Sequence, residues 1–298
     1  MIRPSSFRRN SETATNNYFQ NEILNLNNDS ILKKATLEFD KLVLKIKGCG
    51  IKVFVFQDDL TYDTPDSIYP NNWITFHTNK RIALYPMFAK NRRHERNEKV
   101  LEFLEKNKIY INDLVDYSSA EKKEMFLEGT GSMVFDRINK KAYCSLSERT
   151  SEDLIFEFCN DFEYMPIIFN AFQDHEKIRK PIYHTNVMMC LAENYSIICL
   201  DAIDKKEERE MVIKSLKDDN KEIITISENQ LNFFTGNMIE LKNGDESFLC
   251  MSTKAHSSLD NNQLKKLRSY SKLIHSSVDT IEKCGGGSVR CMITEIFN

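Results

Sequence analysis

Glycine and proline are scarce in this chain, which has nine Gly and six Pro among 298 residues. Average usage is about 7% and 5%, so collagen-like and low-complexity architectures are excluded. Long hydrophobic runs are also lacking. Apolar runs such as residues 197–200 fall far short of the roughly 20 residues that a membrane-spanning helix needs, so we expect no membrane span.

An apolar segment is missing behind the basic residues of the N-terminus, which is atypical of a secretory signal and predicts a cytoplasmic location. An excess of charge of one sign is missing too, because 41 Lys and Arg stand against 44 Asp and Glu for a net charge of −3. We therefore expect neither nucleic acid nor membrane as a partner. The eight Cys contain no C-x-x-C pair, which predicts reduced thiols and no zinc site.

Apolar strands recur along the chain at regular intervals. Five segments each begin with a polar residue, at positions 72, 132, 186, 237 and 290, which are spaced 51 to 60 residues apart. In the first four segments a turn and a second strand follow. After the second strands, the spacing of apolar residues predicts amphipathic helices over residues 93–107, 151–158, 205–218 and 261–278. Short third strands are predicted over 108–111, 165–169 and 222–226.

Units of this size cannot bury their apolar faces alone, and closing them into a ring leaves only short, protected edges. The fifth unit has only a first strand, over residues 290–294, so we expect the N-terminal segment to complete it with residues 15–20, a helix over 31–47 and a strand over 52–56. The repeats therefore predict an α/β fold in a single domain, residues 1–298, in place of the two domains that the length allows. The alternative is an ordinary three-layer α/β sheet with similar strands.

Chemically useful residues stand where the units begin, and in a ring these positions converge on the axis. Glu128, His184 and Cys291 occupy such places. A Cys nucleophile needs a partner that favours the thiolate, and a His oriented by a carboxylate provides it. Glycines 285–287 would let a substrate approach the backbone, and their amides could stabilise an oxyanion. Each residue alone also fits a structural role, but together they predict a Cys-His-Glu catalytic site.

Several short motifs resemble a known family. They are Phe7, Asn10, residues 12–14 and 16–20, residues 70–73, Phe76 with His77, residues 128–131, residues 184–186 and Cys291. In this order they resemble the amidinotransferase or pentein superfamily, and specifically its citrulline utilisation hydrolase branch. The resemblance implies a five-bladed, pseudo-symmetric α/β propeller, Cys-His-Glu chemistry on guanidine-type carbons, an amino-acid substrate of arginine metabolism, and no metal or organic cofactor. It leaves open whether the chain forms a homo-oligomer.

Two departures from the superfamily pattern bear on the substrate. Arginine deiminases and glycine amidinotransferases generally carry Asp where this chain has Asn72, and a His-x-Asp where it has His184 and Asn186. A guanidinium only donates hydrogen bonds and suits carboxylates, whereas a ureido group is neutral and has a carbonyl oxygen that needs a donor. Asn72 and Asn186 therefore predict binding of a ureido group.

Three further residues are candidate substrate contacts. Asn17 resembles a substrate-side Asn of the arginine dihydrolases, Asp66 is a candidate carboxylate with a turn or cap role as its alternative, and Arg290 or another cation would meet the substrate carboxylate. The sequence thus predicts a hydrolase that converts citrulline to ornithine, ammonia and carbon dioxide. The alternatives are an arginine deiminase or dihydrolase, and a non-catalytic pentein scaffold.

Overall fold

Small β-sheets alternate with helices in the computed structural model, which describes residues 1–297. Within these residues the strands form six separate sheets of two or three strands each. The predicted α/β class is confirmed, and the alternative of one three-layer sheet is wrong because no sheet has more than three strands in this part of the chain.

The N-terminal segment contains β1 (Ile2–Arg3), α1 (Asn28–Gly48) and β2 (Phe56–Gln57). The first unit contains β3 (Ile74–His77), β4 (Arg81–Leu84), α2 (Glu98–Lys106) and β5 (Asp113–Asp116). The second unit contains α3 (Gly129–Ser132), β6 (Met133–Asp136), β7 (Lys141–Ser145), α4 (Glu152–Phe162) and β8 (Met165–Phe169). A hairpin of β9 (Phe172–His175) and β10 (Ile178–Pro181) follows it.

The third unit contains α5 (Thr185–Met188), β11 (Met189–Leu191), β12 (Tyr195–Ile198), α6 (Lys206–Asp218), β13 (Glu222–Thr225) and α7 (Glu228–Leu231). The fourth unit contains β14 (Ile239–Asn243), β15 (Glu246–Ser252), α8 (Thr253–Ser258), α9 (Asn261–Tyr270) and β16 (Lys272–Ser276). After it come α10 (Asp279–Gly285) and a 3-10 turn, Val289–Met292.

All four units share one sheet connectivity. The first strand pairs with the second in the antiparallel direction, and the second pairs with the third in the parallel direction. A parallel neighbour needs a crossover connection, which in each unit contains a helix. The repeated hairpin, helix and strand predicted from the sequence are therefore present four times.

Helix α1 shows how local sequence sets these elements. Asn27 caps its N-terminus by accepting a hydrogen bond from the Ser30 amide, and its buried residues recur every three or four positions. That buried face packs on β16 and α10. The helix therefore ties the N-terminal segment to the end of the chain, next to Cys291.

In the first and fourth units, two predicted elements are wrong. The helix predicted over residues 261–278 ends at Tyr270, and Lys272–Ser276 pairs instead with β15. The apolar residues of this segment fit the helical period and the strand period equally well, and parallel pairing with β15 decides for the strand. The third strand of the first unit is Asp113–Asp116 and not residues 108–111, because Lys108 has a φ of 64° that ends the preceding turn and Asp113 is the residue in register with Arg81.

The fifth unit also differs from its prediction. Residues 290–294 form no strand, because the chain coils into the turn Val289–Met292, and of residues 52–56 only Phe56 lies in a strand. Ile2–Arg3 pairs with Phe56–Gln57 in a two-stranded parallel sheet. The sheets are not closed into a ring, so five-bladed closure stays a prediction. In the described part of the chain no helix is both long and apolar enough to span a membrane.

Candidate active site

The segments that begin the units meet around one small cavity. Asn72 ends a 3-10 turn before β3, His184 precedes α5, and Cys291 lies in the turn after α10. All three line the cavity, together with Asn17, Asp66, glycines 285–287, Thr13, Gln20, Tyr69, Arg92, Arg149 and Tyr183. The structure thus brings together residues that are more than 200 positions apart in the sequence.

His184 and Glu128 form a direct hydrogen bond. His184 Nε2 lies 2.8 Å from Glu128 Oε2, and the two residues are 2% and 0% exposed. Because an ionised carboxylate only accepts hydrogen bonds, this contact places the imidazole hydrogen on Nε2. Nδ1 of His184 is then left as the proton acceptor.

Buried charges around Glu128 determine its ionisation. Burial opposes ionisation, but Arg149, His184 and Arg92 outweigh it and hold the pKa of Glu128 well below its usual value. Burial lowers the pKa of His184 to about 4, although Glu128 acts in the opposite direction. At neutral pH the pair is therefore a carboxylate and an uncharged imidazole.

Cys291 is 3% exposed, and two amide side chains contact its sulfur. Asn237 Nδ2 lies 3.3 Å and Asn186 Nδ2 lies 3.5 Å from Sγ. Burial raises the pKa of the Cys291 thiol, while Asn237, the Ser288 amide and Arg290 act to lower it. Cys291 therefore rests as a thiol, which would have to lose its proton to act as a nucleophile.

The glycine run before Cys291 is held by two tyrosines. Tyr69 Oη donates to the carbonyls of Ile281 and Gly287, at 3.2 and 3.3 Å, and Tyr183 Oη donates to the Gly286 carbonyl. Gly286 has a φ of +63°, and a Cβ on Gly285 would stand 2.0 Å from Tyr69 Oη. Glycine is therefore required by conformation at one position and by contact at the other.

The amides of this run are not all available to an oxyanion, contrary to the expectation. The Gly286 N–H already donates to the Glu282 carbonyl at 2.9 Å, which ends α10. The close approach of backbone to Cys291 is present, with the Cβ position of Gly287 3.4 Å from the Cys291 Cβ. The Gly286 amide is therefore already occupied, and the small size of the run lets the backbone lie close to Cys291.

Asn72 is oriented by a buried cation. Arg92 Nη1 donates to Asn72 Oδ1 at 2.9 Å, and both oxygens of Glu95 hold the same guanidinium at 2.9 Å. Because Arg can only donate, the amide oxygen of Asn72 must face it, which fixes the amide orientation. Nδ2 of Asn72 is buried without a hydrogen-bond partner among residues 1–297, and the residue lines the cavity.

The remaining predicted substrate contacts divide into two groups. Asn17 lines the cavity and donates to the Gly286 carbonyl at 3.2 Å, while Asp66 accepts from Asn10 and Thr13 through one oxygen. The other oxygen of Asp66, Oδ1, is buried without a partner within the described residues. Arg290 does not line this cavity, because Glu295 at 3.2 Å and the Ile293 carbonyl at 2.8 Å hold its guanidinium.

Three residues of the site were missed in the sequence. Asn237 begins the fourth unit at the position that Asn72 and Asn186 occupy in theirs, and this repeat position was a usable signal. Arg92 and Arg149 are both 2% exposed and line the cavity. Neither had a signal, because Arg92 lies in a charged run typical of a solvated surface and Arg149 lies in a polar loop.

Among residues 1–297, His, Cys, Asp and Glu form no cluster of three or more that could hold a metal ion. The cavity lining combines one carboxylate, two guanidiniums, three side-chain amides, one imidazole and one thiol. Such a set can bind a small zwitterion and carry out nucleophilic chemistry at a carbonyl-type carbon.

Residues 3–298 match the family described as N,N dimethylarginine dimethylhydrolase, eukaryotic. No curated protein sequence matches the chain. Several solved structures share its fold. The N-terminal domain of ArgZ, an arginine dihydrolase from the ornithine-ammonia cycle in cyanobacteria, in its substrate-bound Cys-to-Ser variant, has a TM-score of 0.71 at 17% identity, covering 99% of this chain and 97% of that domain.

Two more solved structures are similar. Unliganded AgrE has a TM-score of 0.74 at 15% identity, covering 100% of this chain and 39% of AgrE. A His-to-Gly variant of dimethylarginine dimethylaminohydrolase, as an adduct with S-methyl-L-thiocitrulline, has a TM-score of 0.60 at 15% identity, covering 88% of each chain. This chain also spans only 38% of full-length ArgZ. Together with the family match, these shared folds confirm the predicted resemblance at the level of the superfamily: the chain belongs to the eukaryotic N,N dimethylarginine dimethylhydrolase family, within the pentein or amidinotransferase superfamily.

Proposed function

We propose that the protein is a cysteine-dependent hydrolase of C–N bonds in ureido or guanidino amino acids, with citrulline as its preferred substrate. The products would be ornithine, ammonia and carbon dioxide. Family membership supports the reaction class, since the related enzymes are named for action on dimethylarginine and arginine. The choice of citrulline rests on the chain's own residues.

The free amide hydrogens of Asn72 carry the preference for a ureido group. Arg92 occupies Oδ1 of Asn72, so only the Nδ2 hydrogens can face a substrate. They need an acceptor, which the carbonyl oxygen of citrulline provides and a guanidinium lacks. A buried donor left unpaired costs about 1–3 kcal/mol, so the site discriminates against a ligand without that oxygen.

The reaction begins with the uncharged thiol and imidazole. His184 Nδ1 takes the proton of Cys291 as the sulfur attacks the ureido carbon, beside the Asn186 amide, and the imidazolium then protonates the departing amine. This leaves a thiocarbamate on Cys291. His184 next removes a proton from water, which attacks the thiocarbamate and releases the thiol and a carbamic acid that loses carbon dioxide. Glu128 holds the imidazole throughout.

The amino-acid end of the substrate needs a cation. Arg92 already makes four hydrogen bonds, to Glu95, Asn72 and the Tyr69 carbonyl. Arg149 donates through Nε and Nη2 to Asn16 and Thr13, and its Nη1 lies 3.5 Å from Glu128. We assign the substrate carboxylate to Nη1 of Arg149, because Arg290 points away from the cavity.

Incubating the purified protein with citrulline and measuring ornithine and ammonia tests the proposal. We expect turnover that Cys291→Ala abolishes, whereas Cys49→Ala, which changes a half-buried thiol outside the cavity, leaves it intact. Absence of turnover, or turnover that survives Cys291→Ala, would overturn the proposal.

A second candidate is an arginine dihydrolase or deiminase, and Asp66 favours it. Its unpartnered Oδ1 is a buried acceptor on the cavity, which suits a donor such as a guanidinium. Arginine, N,N-dimethylarginine and citrulline as separate substrates distinguish the candidates. A higher kcat/KM for arginine or for dimethylarginine than for citrulline would replace the citrulline assignment.

The arrangement of the units in the fold is also part of the proposal. We infer one domain over residues 1–298, with the units arranged around an axis and the N-terminal segment completing the fifth. The shared connectivity of four sheets, the contacts of β11 with β6 and β14, and the packing of α1 on β16 and α10 support this arrangement.

A further inference from the structure

Asn237 stands directly against the sulfur of Cys291. Its Nδ2 lies 3.3 Å from Sγ and 3.0 Å from the backbone carbonyl of Asn186, and the residue is 1% exposed. Asn237 precedes β14, so a different unit supplies it from those that supply His184 and Cys291. The fourth unit, which has no other part in the site so far, therefore reaches the nucleophile.

The orientation of this amide is determined by its surroundings. Only an N–H group can bond to the Asn186 carbonyl, so the nitrogen of Asn237 must lie on that side, where the sulfur also is. Oδ1 of Asn237 is buried without a hydrogen-bond partner in residues 1–297. Leaving an acceptor unpaired is unfavourable, so a purely structural role would be served better by a residue without one.

The sulfur needs such a donor because few other groups stabilise its negative charge. In the described part of the chain, the side chains hydrogen-bonded to Sγ are those of Asn186 and Asn237, and neither is charged. The titratable groups that line the cavity with the thiol are Tyr69, Tyr183, His184, Asp66, Arg92 and Arg149. Arg92 is paired with Glu95, Arg149 lies against Glu128, and the adjoining Arg290 is paired with Glu295. A neutral ureido substrate also brings no positive charge to the thiolate.

We propose that Asn237 is a catalytic residue whose amide N–H stabilises the Cys291 thiolate when the thiol proton passes to His184. The sulfur then carries the negative charge until it bonds to the substrate carbon, and the Asn237 amide remains neutral throughout. The proposal rests on Cys291 as the nucleophile of the proposed function. It deepens that function by naming the group that makes attack on an uncharged substrate feasible.

The test measures the thiolate without using a substrate. Alkylation of Cys291 by iodoacetamide is followed from pH 6 to pH 10 by mass spectrometry of the Cys291 peptide, in the full chain and in two variants. Asn237→Ser removes the amide and Asn237→Asp keeps its shape but places a carboxylate at the sulfur. Asn243→Ala is the matched control, because this exposed Asn of the same unit bonds to the Cys49 carbonyl.

We expect the alkylation midpoint to rise by about one pH unit in Asn237→Ser and by more in Asn237→Asp, which is a tenfold or greater loss of rate at neutral pH. The rate at high pH should equal that of the unaltered chain, since the thiolate itself is unchanged. Asn243→Ala should leave the whole profile in place. A midpoint that stays unchanged in either folded variant overturns the proposal.

Turnover gives a second, independent readout. With citrulline, Asn237→Ser should lower kcat while KM stays within about twofold, because the amide acts on the sulfur and not on substrate binding. If citrulline proves not to be a substrate but the alkylation midpoint still rises, the proposed function fails and the role of Asn237 stands. If citrulline is hydrolysed and the alkylation midpoint does not move, the proposed function stands and the role of Asn237 fails.

Discussion

Arg92 donates to Oδ1 of Asn72 at 2.9 Å, while Glu95 grips the other side of the same guanidinium through two hydrogen bonds of 2.9 Å. All three residues are at most 4% exposed. The Glu95 carboxylate positions the Arg92 guanidinium, and the guanidinium determines the orientation of the Asn72 amide. Arg92 thus determines that Nδ2, and not Oδ1, is the free hydrogen-bonding group of Asn72.

Replacing Glu95 should therefore weaken both stability and selectivity. Glu95→Gln removes the charge partner of a buried Arg, for which about 3–5 kcal/mol of unfolding free energy is typical. The freed guanidinium no longer fixes Asn72, so the ratio of kcat/KM for citrulline over arginine should fall. Urea denaturation and the two kinetic assays measure these effects. The exposed Glu98→Gln is the control. An unchanged ratio of kcat/KM values in a folded Glu95→Gln would contradict the orientation of Asn72 by Arg92 and Glu95.

Glu128→Gln should impair His184 as a general base while keeping the size of the side chain at position 128. The Gln amide can donate to Nε2 of His184, which would move the imidazole hydrogen to Nδ1 and remove the proton acceptor. Loss of general acid–base catalysis lowers kcat by about 10²–10⁴-fold. Steady-state kinetics with citrulline check this, and the exposed Glu124→Gln should behave as the unaltered protein. Full activity in Glu128→Gln would exclude the proposed role of the carboxylate.

Gly285→Ala should destabilise the loop before Cys291. The added methyl would meet Tyr69 Oη at 2.0 Å, so Tyr69 must move and release the Gly287 carbonyl. Overpacking of this kind costs about 1–3 kcal/mol. The matched control is Gly48→Ala, where nothing lies within 4 Å of the new Cβ and a helical Ala should stabilise by roughly 0.5 kcal/mol. Thermal unfolding of both variants gives the comparison, and equal melting temperatures would contradict it.

Stability should fall as the pH drops below about 6.5, and His77 should account for part of the fall. Burial, with help from Arg137, lowers the pKa of His77 from 6.5 to about 2. Between these values the unfolded chain binds a proton that the folded chain does not, so unfolding becomes easier as pH falls, by up to about 1.4 kcal/mol per pH unit.

His77→Gln should reduce that slope. Urea denaturation at pH 7, 6 and 5 measures it, and the control is His94→Gln, which replaces an exposed histidine. His184, whose pKa burial lowers to about 4, should retain a similar contribution in both variants. If the slopes of His77→Gln and His94→Gln coincide, His77 does not titrate on unfolding as described.

Strand and helix positions were predictable where the local pattern had one reading. Residues 165–169 were predicted as a strand and form β8 with the same bounds, because a short β-rich run bounded by polar residues fits no helix. The end of α9 was not predictable, because Leu273 and Ile274 fit the helical period as well as the strand that they form. Pairing with the neighbouring strand β15 resolves the ambiguity in favour of a strand.

The catalytic candidates could be named in advance because they sit at repeat positions, and a repeat is visible in sequence. Asn237 had that signal and Arg92 and Arg149 did not. An Arg in a charged run and an Arg in a polar loop look like solvated surface residues, and only tertiary packing shows that both are buried against Glu128. Arg290 illustrates the opposite case, since its neighbour Cys291 faces the cavity while its own side chain turns toward Glu295.

The sequence by itself determined the α/β units, their spacing, the superfamily and the meeting of Glu128, His184 and Cys291 as candidates, because periodicity, turn residues and motif order are local properties of the chain. Tertiary structure alone decided which hydrogen-bonding face Asn72 presents, which amides contact the sulfur and which arginines enter the site. Those choices depend on partners far away in sequence and on the cost of burying charges and unpaired polar groups, which no local pattern encodes.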